Sequence, residues 1–231
     1  MLLIGKVLRV VVAGCAIAAF AGCSGDDSPD PAPDGGLVDV TTMRGALLQA
    51  ADIGPTWAVP QDPADPNRLV SICGGTTTAP AVPPGGDVVA SPLADEGSKG
   101  AQTLYQTALV YGDATQAQAG LAALRAVADG CPANVSVPQK ITDDRSEPAY
   151  TETVAITPLS QGGWTGFVVT RHKAYEPKHP GIADTAVAVL ALRNVLLVDG
   201  YAVYRLGNAT TGPGFTTDWQ KLVGTVISRV G

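Results

Sequence analysis

The sequence predicts an α/β domain of the α+β type: an antiparallel β-sheet of about five strands flanked by helices, closed by one disulfide. Three features of this chain of 231 residues indicate the class. Residues 113–131 have the pattern of an amphipathic helix, β-rich runs follow one another between 153 and 206, and residues 215–230 are again amphipathic. Short connections between consecutive strands favour antiparallel pairing, with the helices mainly on one face.

The helix within 113–131 has clear start and stop signals. Asp113 is expected to cap its first turn. Gly130 is expected to end the helix, and Pro132 prevents its continuation. Cys131 then lies at the exit of the helix. The apolar stripe is mostly alanine, at three- and four-residue spacings: Ala114, Ala117, Leu121, Leu124 and Ala128.

The strands are expected at 104–111, 153–159, 164–172, 185–193 and 194–206. Two turns fit the last hairpin. Asp199-Gly200 is the stronger two-residue signal but leaves a short first strand, so Arg193-Asn194 stays open as well. Residues 69–73 are either a further short strand or simply the segment that carries Cys73.

Two other helices and a long loop complete the predicted fold. A first helix is expected over 41–53, and a last helix begins at a cap on Thr216 or Thr217. Residues 74–100 are low in complexity and predict a long exposed loop.

The N-terminus has the pattern of a bacterial lipoprotein signal. Lys6 and Arg9 precede an apolar run that is too short to span a bilayer, and Phe20-Ala21-Gly22-Cys23 resembles a lipobox. Residues 1–22 are therefore expected to be removed and Cys23 to be lipidated, which tethers the chain to the membrane. An ordinary secretory signal is the alternative.

Composition divides the rest of the chain. Residues 23–40 hold five acids and no base, which predicts a disordered acidic linker, and 41–231 form the domain. Removing 1–22, with its two basic residues, changes the net charge from −6 to about −8. The domain itself has no basic patch, which argues against a nucleic-acid partner.

The number and positions of the cysteines predict one disulfide. Cys15 leaves with the signal and Cys23 is the lipid site, so Cys73 and Cys131 remain. In a secreted chain such a pair most often forms a disulfide. The alternative, a nucleophilic cysteine, lacks an activating base nearby in the sequence.

No sequence motif indicates catalysis or a cofactor. His172 and His179, with Lys173 and Glu176, offer metal ligands, but the spacing fits no standard site. No Gly-x-Ser-x-Gly, P-loop or dinucleotide motif is present. Paired carboxylates for acid–base chemistry are available in one charged segment, which a solvated loop explains more simply: Asp143, Asp144 and Glu147.

Several segments together resemble a known family. They are the lipobox and acidic linker, ALLQAADIGPTW, the strand and helix LYQTALVYGDATQAQAGLAALRAVADGC, and YAVYRLGN before the last helix. The chain resembles the actinobacterial sensor-domain lipoproteins related to the extracellular domain of the kinase PknH, over roughly 41–230. The resemblance implies an antiparallel sheet flanked by helices, stapled by disulfides, with a cleft for an unknown ligand.

The sequence thus predicts a monomeric, lipid-anchored, extracytoplasmic ligand-binding or sensor-like domain that is not an enzyme and holds no cofactor. Its ligand is expected to be a small molecule or an envelope component, in a groove between sheet and helices or beneath 74–100. Such a groove is expected to be largely apolar, with few polar groups. The alternative is a cell-envelope hydrolase that uses Asp, Glu and His172, with its carboxylates clustered in a cleft.

Overall fold

The computed structural model describes residues 36–61, 65, 68–95, 100–142 and 146–231. The predicted signal peptide, Cys23, Asp143 and Asp144 lie outside these residues. The helices are α1 (Val40–Ala46), α2 (Ala50–Ile53), α3 (Ala114–Asp129) and α4 (Phe215–Val230). The strands are β1 (Asp87–Asp95), β2 (Gly100–Val110), β3 (Asn134–Val137), β4 (Lys140–Ile141), β5 (Ser146–Glu147), β6 (Tyr150–Gln161), β7 (Trp164–Tyr175), β8 (Gly181–Leu192) and β9 (Val195–Leu206).

The large sheet has seven strands in the order β1-β2-β9-β8-β7-β6-β3, and every neighbouring pair is antiparallel. The antiparallel prediction is confirmed, but five strands is too few. The additional strands are β1 and β3, which form the two edges. β4 and β5 form a separate two-stranded sheet.

Both faces of the sheet are covered, so the prediction of helices mainly on one face is wrong. Trp219 and Val223 of α4 belong to the same buried cluster as Leu197 of β9, together with α1. Leu124 of α3 instead packs in the cluster that contains Leu196, the next residue along β9. Neighbouring strand residues point to opposite faces. We call these the α1/α4 face and the α3 face.

The helix ends follow tertiary contacts as much as local signals. Asp113 caps α3 as predicted, with Oδ1 accepting from the Gln116 amide at 2.9 Å. The predicted Thr cap of α4 is wrong, because Gly214 is the N-cap and no side chain caps there. Phe215 is already buried and stacks on Tyr201, with ring centroids 5.8 Å apart, which fixes where α4 begins.

The predicted first helix is broken in two. α1 ends at Ala46, and α2 starts after Gln49. Leu48 between them donates its backbone N–H to Gln106 Oε1 at 2.8 Å, so this amide bonds to the sheet instead of continuing a helix. Leu47 and Leu48 are buried at the break.

The last hairpin turns at Arg193 and Asn194, and Arg193 has a positive φ of 50°. Buried Asn194 explains the choice, because its side-chain amide bonds three backbone groups. Its Oδ1 accepts from the Val38 amide at 2.8 Å, and its Nδ2 donates to Val38 and Tyr111 carbonyls at 2.9 and 2.7 Å. Val38 is thus fixed to the fold, although the sequence assigned it to the linker.

Candidate functional site

A chain segment that we call the arm, residues 68–82, lies over the α3 face of the sheet. Leu69 and Ile72 are buried in the cluster on that face. Cys73 forms a disulfide with Cys131, immediately after α3, as the sequence predicted. The Leu69 amide donates to the Pro80 carbonyl at 3.0 Å, which closes the arm on itself. The arm therefore has a fixed position without regular secondary structure.

A buried ion pair lies directly under the next residues of the arm. Glu152 Oε1 is 3.4 Å from Arg171 Nη1, and Glu152 Oε2 accepts from the Gly75 amide at 2.6 Å. Burial lowers the pKa of Arg171, while the Glu152 carboxylate raises it. Gly74, at φ 71°, packs so closely that a Cβ there would meet Arg171 and Glu152.

Gly74→Ala is expected to destabilise the fold by about 2 kcal/mol, because a side chain resists positive φ and would displace the ion pair. Urea unfolding of both proteins measures this difference. Gly207→Ala is the control, since its φ is 77° but nothing lies within 4 Å of the added Cβ. An equal loss in the two variants would show that the contact with the ion pair contributes nothing.

A cavity of about 460 Å³, which we call the arm cavity, lies between the arm and strands β1 and β2. The surface that lines it is largely apolar, although polar residues such as Arg68, Tyr105 and Thr107 contribute to the lining. It lies beneath the first part of the segment predicted as a loop. Its lining residues come from three distant stretches: Asp65, Arg68, Leu69, Val70, Ala79, Ala90, Pro92, Tyr105, Gln106 and Thr107.

The described residues among those proposed for acid–base or metal chemistry form separate pairs rather than one group. Glu147 lies 3.6 Å from Lys173 Nζ, whereas His172 points to the opposite face because it is adjacent to Lys173 on β7. His179 is exposed and contacts Glu176 at 3.2 Å. Among the described residues, no group of three or more His, Cys, Asp or Glu could hold a metal ion.

His172 does have a carboxylate partner that the sequence did not indicate. Its Nδ1 lies 2.7 Å from Oδ1 of Asp184 on β8, a buried residue directly opposite it. Thr211 Oγ1 donates to the same oxygen at 3.0 Å and lies 3.3 Å from Nδ1. A carboxylate on Nδ1 orients an imidazole for base catalysis. Thr211, however, lies on the Nδ1 side, where it cannot deliver a proton to Nε2.

None of the described helices is long and apolar enough to cross a membrane. No family model and no curated protein matches the chain. The crystal structure of the extracellular domain of PknH from Mycobacterium tuberculosis is similar, with 14% identity and a TM-score of 0.47, over 84% of this chain and 97% of that one. A likeness at this level carries no argument about function. The family resemblance stays a prediction.

Proposed function

We propose that this chain is a non-enzymatic ligand-binding or sensor-like domain, held outside the cytoplasm by a lipid on Cys23. Its ligand is an apolar molecule, such as a single acyl chain, bound in the arm cavity. The main support for the proposal is the largely apolar lining of that cavity. The cavity volume of about 460 Å³ falls within the range of about 300–1,000 Å³ typical of small-molecule sites.

The polar groups of the arm cavity suit a ligand with one polar end. No described residue hydrogen-bonds the hydroxyl of Tyr105 or of Thr107, although each contributes to the lining. Those two hydroxyls and the guanidinium of Arg68 can orient a ligand, while the aliphatic lining supplies most of the affinity. A long carboxylate such as a fatty acid satisfies both requirements.

The disulfide supports an extracytoplasmic location. Cys73 and Cys131 are bonded inside the fold, and such bonds persist in oxidising compartments. At the N-terminal end of the described chain, the Gly36 carbonyl accepts from Arg193 Nη1 at 2.9 Å. The N-terminal end of the described domain therefore lies beside the β8–β9 turn.

Ala90→Trp is expected to abolish binding of cis-parinaric acid, a fluorescent fatty acid, to the full chain. Ala90 is exposed on β1 and lines the arm cavity, so an indole there fills the cavity without entering the core. Probe fluorescence measures binding. Val88→Trp is the matched control, because Val88 is 41% exposed on the same strand face and does not line the cavity.

Two outcomes would contradict the proposal. In one, the wild-type chain does not bind the probe. In the other, Ala90→Trp and Val88→Trp bind it equally well, which would place the probe elsewhere on the surface.

The envelope hydrolase is the second candidate, and the His172–Asp184 pair is the one observation in its favour. It requires that the purified chain turn over an envelope component and that His172→Gln abolish this turnover. Fatty-acid binding would be unchanged by that substitution, because His172 lies on the α1/α4 face and the arm cavity on the α3 face.

A further inference from the structure

A second cavity, of about 280 Å³, lies on the α1/α4 face, and we call it the α4 cavity. It is bounded by α2 and Trp57 on one side, by strands β2 and β9 at its floor, and by the first turns of α4. Its lining surface is about equally polar and apolar, whereas the lining surface of the arm cavity is largely apolar. Its lining is Leu48, Asp52, Ile53, Trp57, Gln102, Tyr201, Asp218, Lys221, Leu222 and Thr225.

The floor of the α4 cavity is preorganised. The Tyr201 hydroxyl donates to Gln102 Oε1 at 2.6 Å, and the Tyr201 ring is held by stacking on Phe215. Burial raises the pKa of Tyr201 to about 12, so this hydroxyl remains a donor at neutral pH. The amide of Gln102 is thereby oriented, and no described residue hydrogen-bonds its Nε2. Gln102 thus offers a positioned donor.

The walls of the cavity contribute further polar groups without protein partners. No described residue hydrogen-bonds the carboxylate of Asp218, the ammonium of Lys221 or the indole N–H of Trp57, and all three residues line the cavity. Asp52 differs, because Arg229 Nη2 lies 2.7 Å from its Oδ1 and the Gln49 amide donates to its Oδ2. The free groups therefore include both hydrogen-bond acceptors and donors.

Charge in and around the cavity is balanced. Asp218 and Lys221 carry opposite charges in the wall of the cavity, and Arg229 neutralises the charge of Asp52. Near the floor, Asp218 and Asp95 raise the Tyr201 pKa and Arg205 lowers it. A cation or an anion would gain little net attraction here, and a purely apolar molecule would leave the polar groups unpaired at a cost.

We infer that the α4 cavity binds one ring of a neutral polyhydroxylated molecule, a sugar residue. Hydroxyl groups both donate and accept, which matches the acceptor Asp218 and the donors Gln102 and Lys221. The apolar C–H face of a sugar ring packs on an aromatic side chain, and Trp57 supplies that surface. The volume lies just below the range typical of small-molecule sites and limits the enclosed part to about one ring.

Saturation-transfer NMR on the full chain tests the inference with glucose, mannose, galactose and N-acetylglucosamine as probes. Butylammonium and inorganic phosphate represent charged ligands. A single ring is expected to bind with a Kd of about 1 mM, as its small size implies. Asp218→Ala and Trp57→Ala are each expected to weaken binding about tenfold.

The controls distinguish a variant that loses the binding site from one that fails to fold. Gln220→Ala changes an exposed residue of α4 that does not line the cavity, and it should bind as the wild type does. Asp218 is also exposed, so Asp218→Ala should fold with only the small loss of stability that follows from removing an acid from the first turn of α4, and it remains informative if Trp57→Ala fails to fold.

Binding of at least one sugar that Asp218→Ala weakens and Gln220→Ala does not would support the inference. It is overturned if none of the four sugars binds, if only a charged probe binds, or if Asp218→Ala has no effect. Ala90→Trp should leave sugar binding intact, because the arm cavity lies on the other face. Failure of the fatty-acid proposal and failure of this inference are therefore distinguishable.

Discussion

Replacing both Cys73 and Cys131 with serine is expected to lower the free energy of unfolding by about 4 kcal/mol. The bond joins residues 58 apart, so its loss releases a long loop in the unfolded chain. The folded state loses the link that holds the arm to the end of α3. Urea unfolding of the full chain measures the change, and fatty-acid binding in the arm cavity should fall with it.

The single substitution Cys73→Ser should have the same effect on stability and leave a free thiol on Cys131. Thiol labelling, read by mass spectrometry of the peptide that carries Cys131, separates this thiol from Cys15 and Cys23. Cys131 should label in the variant and not in the native, unreduced wild type. Labelling of Cys131 in the wild type would contradict the disulfide and with it the fixed position of the arm.

The central strands and α3 could be predicted because local signals and tertiary packing agree there. Asp113 is a cap in the sequence and in the structure, and the β-rich runs correspond to β6 to β9. The local sequence could not decide which of the two candidate turns closes the last hairpin. Asp199-Gly200 has the stronger turn signal, yet it lies inside β9, where a Cβ on Gly200 would lie 2.9 Å from Val70 of the arm.

Edge strand β1 was missed because its sequence is a poor strand by composition. DVVASPLAD contains Pro92, which a sheet accepts mainly at an edge, and β1 is an edge strand. Its alternation is nevertheless present, since Val89, Ser91 and Leu93 are buried on the α1/α4 face. Polar Ser91 among them conceals the pattern, and its hydroxyl is satisfied by the Leu48 carbonyl at 2.7 Å.

The sequence predicted a groove in general terms, but the lining residues of neither cavity could be derived from it, because each is assembled from segments that only the strand register brings together. Tyr105 meets Ala90 and Val70 through pairing of β1 with β2 and through the disulfide-linked arm. Likewise, Asp184 is opposite His172 only once β7 and β8 are aligned. The sequence identified the disulfide but not what it positions.

Asp199→Asn is expected to make the protein more stable at neutral and alkaline pH. Asp199 is buried under the α1–α2 connection and accepts a hydrogen bond from Gln106 Nε2 at 2.7 Å. Burial raises the pKa of this carboxyl to about 7, although the Gln106 hydrogen bond lowers it. In the unfolded chain its pKa is about 3.9. Between those values, the folded state holds a proton that the unfolded state has released.

Rising pH therefore favours unfolding over this window, with a slope of about 1.4 kcal/mol per pH unit. The stability of the wild type relative to Asp199→Asn should fall by about 4 kcal/mol between pH 4 and pH 8. Urea unfolding of both proteins across that range measures the difference in their free energies of unfolding. The contributions of the other titrating groups cancel in this difference because both proteins contain them. A difference that is independent of pH would mean that Asp199 ionises in the folded state as readily as in the unfolded state.

Asp52→Asn is the matched control, for which the dependence of stability on pH is expected to have the opposite sign. The Arg229 hydrogen bonds lower the pKa of Asp52, so its contribution to stability is present above the ordinary carboxyl pKa and is lost as pH falls. The wild type should gain stability over Asp52→Asn with rising pH and lose it relative to Asp199→Asn.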